Sequence, residues 1–275
     1  WFGDGKRLLE RPFREVLSSG EPDFPFCLAW ANQSWTGVWH GLKDKVLIEQ
    51  KYPGKEDYKK HFYHILPAFN DKRYLRVDNK PLFVVYTPQF LPDSNAYIDL
   101  WQSLAQKEGL EGIYFVGIHH INWNHQADGF DMKTIHQPFH YTQQLLMHSV
   151  KEKLVDYFKR RLKEEPFQVY NYRDVINYYD FSNFHDKYFI PTVLPNWDNS
   201  PRSKRRGLVF HKSKPAFFKQ HLFDAFEFVS GRPETKGLLF IKSWNEWAEG
   251  NHLEPDQLYG LDYLKAVKEV VEHYS

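Results

Sequence analysis

Apolar positions along this chain alternate between two patterns. Short continuous runs have the length and the β-branched or aromatic content of buried strands: Phe24–Trp30 (FPFCLAW), Pro81–Tyr86 (PLFVVY), Ile113–Ile118 (IYFVGI), Ile190–Leu194 and Gly237–Trp244 (GLLFIKSW). Between and around them, apolar residues fall at helical spacing over Lys6–Ser18, Glu56–Phe69, Tyr97–Glu108, Thr142–Lys163, Arg173–Tyr179, Pro215–Ser230 and Leu261–His273. A weaker pattern around Ala127–Met132 marks a sixth strand. Apolar strands alternating with helices predict an α/β fold with a parallel sheet covered by helices. Two architectures fit: a (β/α)8 TIM-type barrel lacking its first units, or an open doubly wound sheet. The opening Trp1-Phe2-Gly3-Asp4-Gly5 has no Met and reads as a strand end running into a loop, which points to a fragment of a longer protein.

Composition narrows the function. Lys plus Arg number 36 against 35 Asp plus Glu, a net charge of +1, which lacks the basic footprint of a general nucleic-acid binder. No run approaches the ~18 apolar residues of a membrane span. The single Cys27 excludes an internal disulfide and a cysteine zinc cluster; it sits in an apolar run as a structural thiol, and the lack of disulfides leans cytoplasmic. Aromatic residues are the outlier at 18%. The Phe residues read mostly as core mass, whereas Trp and Tyr beside Asn, Asp, Glu and His suit a ligand with apolar faces and hydroxyl edges, a sugar. GxGxxG, GxxxxGK[ST] and GxSxG are all absent, which lowers dinucleotide, P-loop and serine-hydrolase readings. The basic stretch Ser200–Arg206 reads as a solvated loop or a phosphate contact.

Polar and aromatic residues follow four of the strands. They are Asn32 and Trp35; His119, His120, Trp123 and His125; Asn196, Trp197, Asp198 and Asn199; and Asn245, Glu246, Trp247 and Glu249. Strand C-termini build the ligand site in parallel α/β folds, so four such ends point to one shared pocket. Glu246 and Glu249 are the sharpest feature. On a helical turn, residues three apart share a face with Cβ atoms roughly 5–6 Å apart, and retaining glycosidases hold their carboxyls about 5–5.5 Å apart. Trp244 and Trp247 flank Glu246, and apolar rings raise a carboxyl pKa toward that of a general acid. The competing structural reading is a pair of glutamates favoured at a helix N-terminus. A metal is the chemical rival, with Glu246, Glu249, His252 and Glu254, or His119, His120 and His125, as ligands; neither set has HExxH spacing, and no cofactor is expected. His136, His140 and Tyr141 read equally as satisfied loop residues.

Five segments carry a family resemblance: Phe26–Trp35 (FCLAWANQSW), Ile48–Tyr52 (IEQKY), Asp71–Phe83 (DKRYLRVDNKPLF), Trp197–Arg202 (WDNSPR) and Ser243–Gly260 (SWNEWAEGNHLEPDQLYG). In order and across nearly the whole chain, they resemble the WbsX-type glycosyltransferase family, whose domain is similar to glycoside hydrolase family 99. The resemblance implies one catalytic domain over residues 1–275, a (β/α)8 barrel whose first two strands precede Trp1. It implies an ExxE pair in which Glu246 acts as base on the sugar's own 2-hydroxyl, through an epoxide-like intermediate, and Glu249 as general acid and then base. Family 99 hydrolases have His where Ala248 stands here.

The reading that follows is a carbohydrate-active enzyme of bacterial surface-polysaccharide (O-antigen, lipopolysaccharide) metabolism. Glu246 and Glu249 are catalytic, and Trp30, Asn32, Trp35, Trp197, Asp198, Asn199, Trp244, Asn245 and Trp247 form sugar-binding walls. Its partner is an oligosaccharide or polysaccharide, with a nucleotide- or lipid-linked sugar as donor in the case of transfer. Hydrolysis of the endo-mannosidase type and transfer both remain open. A non-catalytic glycan-binding module and an inactive remnant are the alternatives.

Overall fold

In the computed structural model, residues 1–37, 42–120, 122–135, 138, 168–178, 181, 184–204 and 207–274 are described. The expected helix over 142–163 lies outside them, as do His136, His140, Tyr141, Arg205 and Arg206. The chain forms two compact units, Trp1–Thr134 and Ile135–Ser275.

The first unit runs α1 (Arg11–Ser19), β1 (Leu28–Trp30), β2 (Trp35–Gly37), β3 (Leu42–Ile48), α2 (Lys55–Phe69), β4 (Arg76–Val77), β5 (Lys80–Val85), α3 (Ser94–Lys107), β6 (Tyr114–His119) and β7 (Met132–Ile135). The sheet order is β1-β5-β6-β7, with β4 hairpinned onto β5. β5 is parallel to both neighbours, with Phe83 opposite Leu28 on one side and Phe115 on the other. Its residues Pro81 to Val85 are all buried, which is the pattern of a parallel strand covered on both faces. Helix α3 starts at an Asp93 N-cap whose carboxylate accepts from Ala96 N at 2.9 Å. It buries Tyr97, Ile98, Trp101, Leu104 and Ala105. Trp101 anchors the core, its ring 4.8 Å from Tyr97, 5.0 Å from Phe83 and 5.1 Å from His61. Much of the aromatic excess is therefore core, Trp and Tyr included. Cys27 packs half-buried against the same cluster, and burial pushes its thiol pKa up.

The second unit runs β8 (Gln168–Asn171), α4 (Tyr172–Tyr178), β9 (Thr192–Val193), α5 (Ser200–Ser203), β10 (Leu208–His211), α6 (Pro215–Ser230), β11 (Phe240–Ile241), β12 (Asn245–Glu246), β13 (Asn251–His252) and α7 (Asp262–Tyr274). β8 pairs with β10 and β9 with β11, both parallel, while β12 and β13 form an antiparallel hairpin. Helix α6 buries Phe218, His221, Leu222, Ala225 and Val229, a stripe at helical spacing. Phe218 meets Tyr263 of α7 at 5.7 Å.

The expected α/β class with parallel strands is present, and several boundaries move. Helix α1 begins at Arg11, not Lys6, because Leu9 holds φ 56°, outside the helical region, and a proline occupies the first turn. The strand expected over 24–30 shrinks to Leu28–Trp30: Pro25 has no N–H for a ladder, and Phe24 is exposed. The weak sixth strand is β7, displaced toward the C-terminus. Among the described residues no helix is long and apolar enough to cross a membrane.

Candidate active site

The site in the second unit is built on two parallel strand ends. Lys242 N donates to Val193 O at 2.9 Å, so the chain leaves β9 and β11 side by side. Beyond β9, Trp197 is buried, and its carbonyl accepts from Phe210 N at 2.8 Å. Asp198 caps the next turn, its carboxylate accepting from Ser200 N at 2.9 Å. The buried Asn199 accepts from Leu208 N at 2.7 Å. These bonds fix α5 and the side chain it carries, Arg202.

Beyond β11 the chain forms the β12–β13 hairpin. Between its strands, Trp247–Glu249 make one 3-10 turn, with Glu246 at its start and Gly250 in the left-handed conformation at its end. Arg202 reaches both side chains, so Glu246 and Glu249 lie on one side of the turn. No α-helix starts at this pair among the described residues; Glu246 precedes, and Glu249 ends, a single 3-10 turn. Asn251 and Asn196 brace the hairpin. Asn251 Nδ2 donates to Asn196 O at 2.8 Å and Lys242 O at 2.9 Å, while Asn196 Oδ1 accepts from His252 N at 2.9 Å. The turn is tied to the β9 side where Asp198 N donates to Glu249 O at 2.9 Å.

One guanidinium meets both glutamates. Arg202 Nη1 lies 3.3 Å from Glu249 Oε1, and Nη2 lies 3.5 Å from Glu246 Oε1. Lys242 Nζ lies 3.9 Å from the other Glu249 oxygen and 4.9 Å from the Trp197 ring centroid. The two acids differ in burial: the Glu249 side chain is 14% exposed and that of Glu246 42%. Burial pushes the Glu249 carboxyl pKa up; Lys242 opposes this, Glu246 adds to it, and Arg202 opposes it. Burial pushes the Lys242 ammonium down, against the pull of both glutamates.

Among the nominated residues, the structure gathers Trp197, Asp198, Glu246 and Glu249 around Arg202 and Lys242. Trp244, Asn245 and Trp247 are exposed on the same hairpin. Trp247 stacks on His252 at 3.8 Å and donates to Glu254 Oε2 at 2.6 Å, and His252 Nε2 pairs with Asp256 at 3.2 Å. Trp30, Asn32 and Trp35 belong to the first unit. Trp30 is buried and donates to Trp1 O at 2.8 Å. Asn32 is fully buried, its amide bonded to Thr87 O at 2.8 Å and Tyr52 Oη at 3.1 Å, its Oδ1 accepting from Thr87 N at 2.8 Å. Trp35 is exposed, edge-on to Phe2.

Residue-by-residue reading passed over Arg202 and Lys242. Arg202 was legible as a basic stretch and as the end of WDNSPR, yet it is an ion-paired residue of the site and not part of a solvated loop. Lys242 closes an apolar strand run and carried no signal of its own. Among the described residues, no group of three His, Cys, Asp or Glu side chains is placed to hold a metal. Of the rival ligands, Glu254 and His252 are engaged as above, and His119 Nδ1 accepts from His120 N at 2.7 Å.

The family model described as Glycosyltransferase WbsX matches residues 1–267. The uncharacterized protein WxcX of Xanthomonas campestris pv. campestris, in strains B100 and ATCC 33913, is 28% identical over 273 residues. That match takes in 98% of this chain and 38% of WxcX, so the chain spans 38% of the length of these curated relatives. The endo-alpha-mannosidase of glycoside hydrolase family 99 from Bacteroides thetaiotaomicron superposes with a TM-score of 0.55, covering 100% of this chain and 74% of that one at 14% identity. A glycoside hydrolase-like protein superposes with a TM-score of 0.50, covering 78% and 60% at 17% identity. At these identities the likeness is one of fold.

Proposed function

The chain belongs to the WbsX glycosyltransferase family, and from that membership we propose that it makes or breaks a glycosidic bond in bacterial surface-polysaccharide metabolism. The observation that carries the reading is the Arg202 guanidinium against both Glu246 and Glu249, two carboxylates of unequal burial on one turn. A buried acid with raised proton affinity suits protonation of the leaving oxygen, which is Glu249's role. The more exposed Glu246 takes the proton of the sugar's 2-hydroxyl as that oxygen bonds to C1 and the leaving oxygen, protonated by Glu249, departs. Glu249 then withdraws a proton from water, giving hydrolysis, or from an acceptor hydroxyl, giving transfer, as the new oxygen bonds to C1, the bond from the 2-oxygen to C1 breaks and Glu246 returns its proton to the 2-oxygen.

The exposed rings of Trp244 and Trp247 supply stacking surfaces for the sugar, and Asn245 hydrogen bonds. The buried Trp197 and Asn199, with Asp198 between them, shape the wall behind these rings. The substrate is an oligosaccharide or polysaccharide, with a nucleotide- or lipid-linked sugar as donor if the reaction is transfer. The fold proposed for the whole is a (β/α)8 barrel, for which the parallel ladders and the superposition over the full chain length speak.

A panel of α-mannobiosides and α-mannosyl fluoride tests the chemistry, with products read by mass spectrometry. Glu249→Gln is expected to abolish turnover of the mannobiosides and to release fluoride from the mannosyl fluoride, whose departure needs no acid, in a single burst, with turnover restored by added azide, which needs no base. Glu246→Gln is expected to abolish both. If Glu249→Gln leaves all turnover intact, the acid assignment falls. If the wild-type chain binds the glycans and turns over neither probe, the exposed tryptophans belong to a glycan-binding module instead.

A further inference from the structure

We propose that Trp247 and Glu254 form a subsite for a neutral pyranose, the indole taking the C–H face of the sugar and the second Glu254 oxygen a hydroxyl at its rim, with His252 and Asp256 as positioning residues behind the indole. The proposal rests on the carbohydrate reading of the chain and not on the roles of Glu246 and Glu249. A sugar offers apolar C–H faces and a rim of hydroxyls, so its site needs a flat apolar surface with hydrogen-bonding groups at the edge. An exposed indole serves as that surface only if something holds its plane, because otherwise it loses side-chain freedom on binding.

The hairpin supplies both. Trp247 lies in the turn between the two glutamates and is half-exposed. One face of its indole rests on the His252 imidazole, with ring centroids 3.8 Å apart and planes 17° from parallel. The opposite face is left for a ligand. The indole N–H donates to Glu254 Oε2 at 2.6 Å. The ring therefore has no donor to spare for a hydroxyl and reads C–H bonds alone. Among the described residues, the other Glu254 oxygen takes no hydrogen bond or ion pair. It is an acceptor at the indole's edge, suited to a sugar hydroxyl and repelling a phosphate or a uronate.

His252 is itself held. Its backbone N donates to Asn196 Oδ1 at 2.9 Å, and its carbonyl accepts from Asn196 Nδ2 at 3.3 Å. Its Nε2 lies 3.2 Å from Asp256 Oδ2. Asp256 Oδ1 accepts from Leu258 N at 2.9 Å and Tyr259 N at 2.6 Å. Burial pushes the Asp256 carboxyl pKa up, but the Tyr259, His252 and Leu258 bonds outweigh it and leave the carboxyl below its usual range. An ionised carboxylate only accepts, so Nε2 is the donor, and turning the imidazole breaks that bond. Asp256, His252 and Glu254 thus set the plane of the indole before any sugar arrives.

The full chain is labelled with nitrogen-15 at its indoles, and the Trp247 Nε1–H signal is assigned by its loss in Trp247→Phe. Neutral disaccharides of glucose, galactose, mannose and rhamnose are titrated in by NMR. At least one is expected to shift the signal saturably, and the uronate counterpart of that sugar to bind at least about threefold more weakly. Glu254→Ala is expected to move the signal in the unliganded chain and to weaken binding roughly tenfold, with Glu254→Gln, whose amide oxygen still accepts, falling between. His252→Leu is expected to weaken binding about threefold to tenfold, and His252→Phe, which restores a stacked ring, to recover most of the loss. A thermal melt checks each variant's fold. If Glu254→Ala is unfolded, Glu254→Gln decides; if His252→Leu is unfolded, Asp256→Asn takes its place with the same expected loss. The proposal is overturned if no neutral disaccharide moves the Trp247 signal, if the uronate binds as tightly, if the Glu254 variants bind like wild type, or if His252→Leu and His252→Phe bind alike. Unimpaired turnover in Glu249→Gln with the Trp247 signal moving as expected removes the catalytic roles and leaves the subsite standing. Lost turnover in Glu249→Gln with an unmoved Trp247 signal does the reverse.

Discussion

Gly250 and Asp198 lie backbone against backbone: a Cβ on Gly250 would stand 2.7 Å from the Asp198 carbonyl oxygen. Gly250 also holds φ 53°, the left-handed conformation that closes the 3-10 turn carrying both glutamates. Gly250→Ala is therefore expected to cost about 1–2 kcal/mol from conformation alone, plus the displacement that the contact forces. Urea unfolding measures the first. The second should appear as loss of turnover exceeding the loss of folded protein, because Asp198 N and Glu249 O are hydrogen-bonded at the same spot.

Asn32 joins the ends of β1 and β5. Its side chain satisfies Thr87 N and Thr87 O, and Tyr52 Oη bonds both its amide and its backbone carbonyl, at 3.1 and 2.8 Å. Asn32→Ala strands these partners in a buried place and is expected to cost about 2–4 kcal/mol, read as a lower urea midpoint with an unchanged m-value. An Asn32→Ala chain as stable as wild type would mean the network carries no stability.

The pH dependence of stability has a nameable source. His221 on α6 is fully buried against Phe181 at 5.3 Å, and burial pushes its pKa down to about 3. The unfolded chain takes up a proton near pH 6.5 that the folded chain refuses. The contribution is therefore fully present above pH 6.5 and falls as pH drops toward about 3, at up to ~1.4 kcal/mol per pH unit. His61, buried beside Trp30 and Trp101, is shifted the same way. His221→Phe is expected to flatten this limb by about one proton, measured by urea unfolding at a series of pH values.

Exposed and buried tryptophans should separate binding from folding. Trp101→Ala removes the centre of the first unit's core and is expected to cost about 3–5 kcal/mol. Trp247→Ala removes a half-exposed ring and is expected to weaken oligosaccharide affinity by roughly tenfold with little change in thermal midpoint. Isothermal titration with the mannobiosides reads that loss.

Strand cores such as Pro81–Val85 and helices such as Pro215–Ser230 were legible because burial leaves a continuous apolar run or a stripe at helical spacing. The β2–β3 hairpin and the β8–β10 ladder escaped that reading, because strands with exposed or mixed side chains leave no apolar run to find. The glutamate pair was legible from spacing and neighbouring tryptophans; the turn it sits on was not, since a single 3-10 turn inside a hairpin has no period. Arg202 lies 44 positions from Glu246 and 47 from Glu249 in the chain and meets both through tertiary structure, and Lys242 reaches Glu249 across the hairpin turn. Pattern along the chain shows which residues carry charge and not which charges are neighbours.

Every parallel ladder described above joins strands distant in the chain, with a helix or more between them. Leu28 waits for Phe83, Phe83 for Phe115, Thr192 for Phe240. On a ribosome the exposed edge of β1 emerges well before its partner does, and closing these long loops precedes any reward from pairing. Nascent chains of this protein should therefore spend their synthesis with apolar strands uncovered, dependent on holding chaperones until each ladder's second strand arrives.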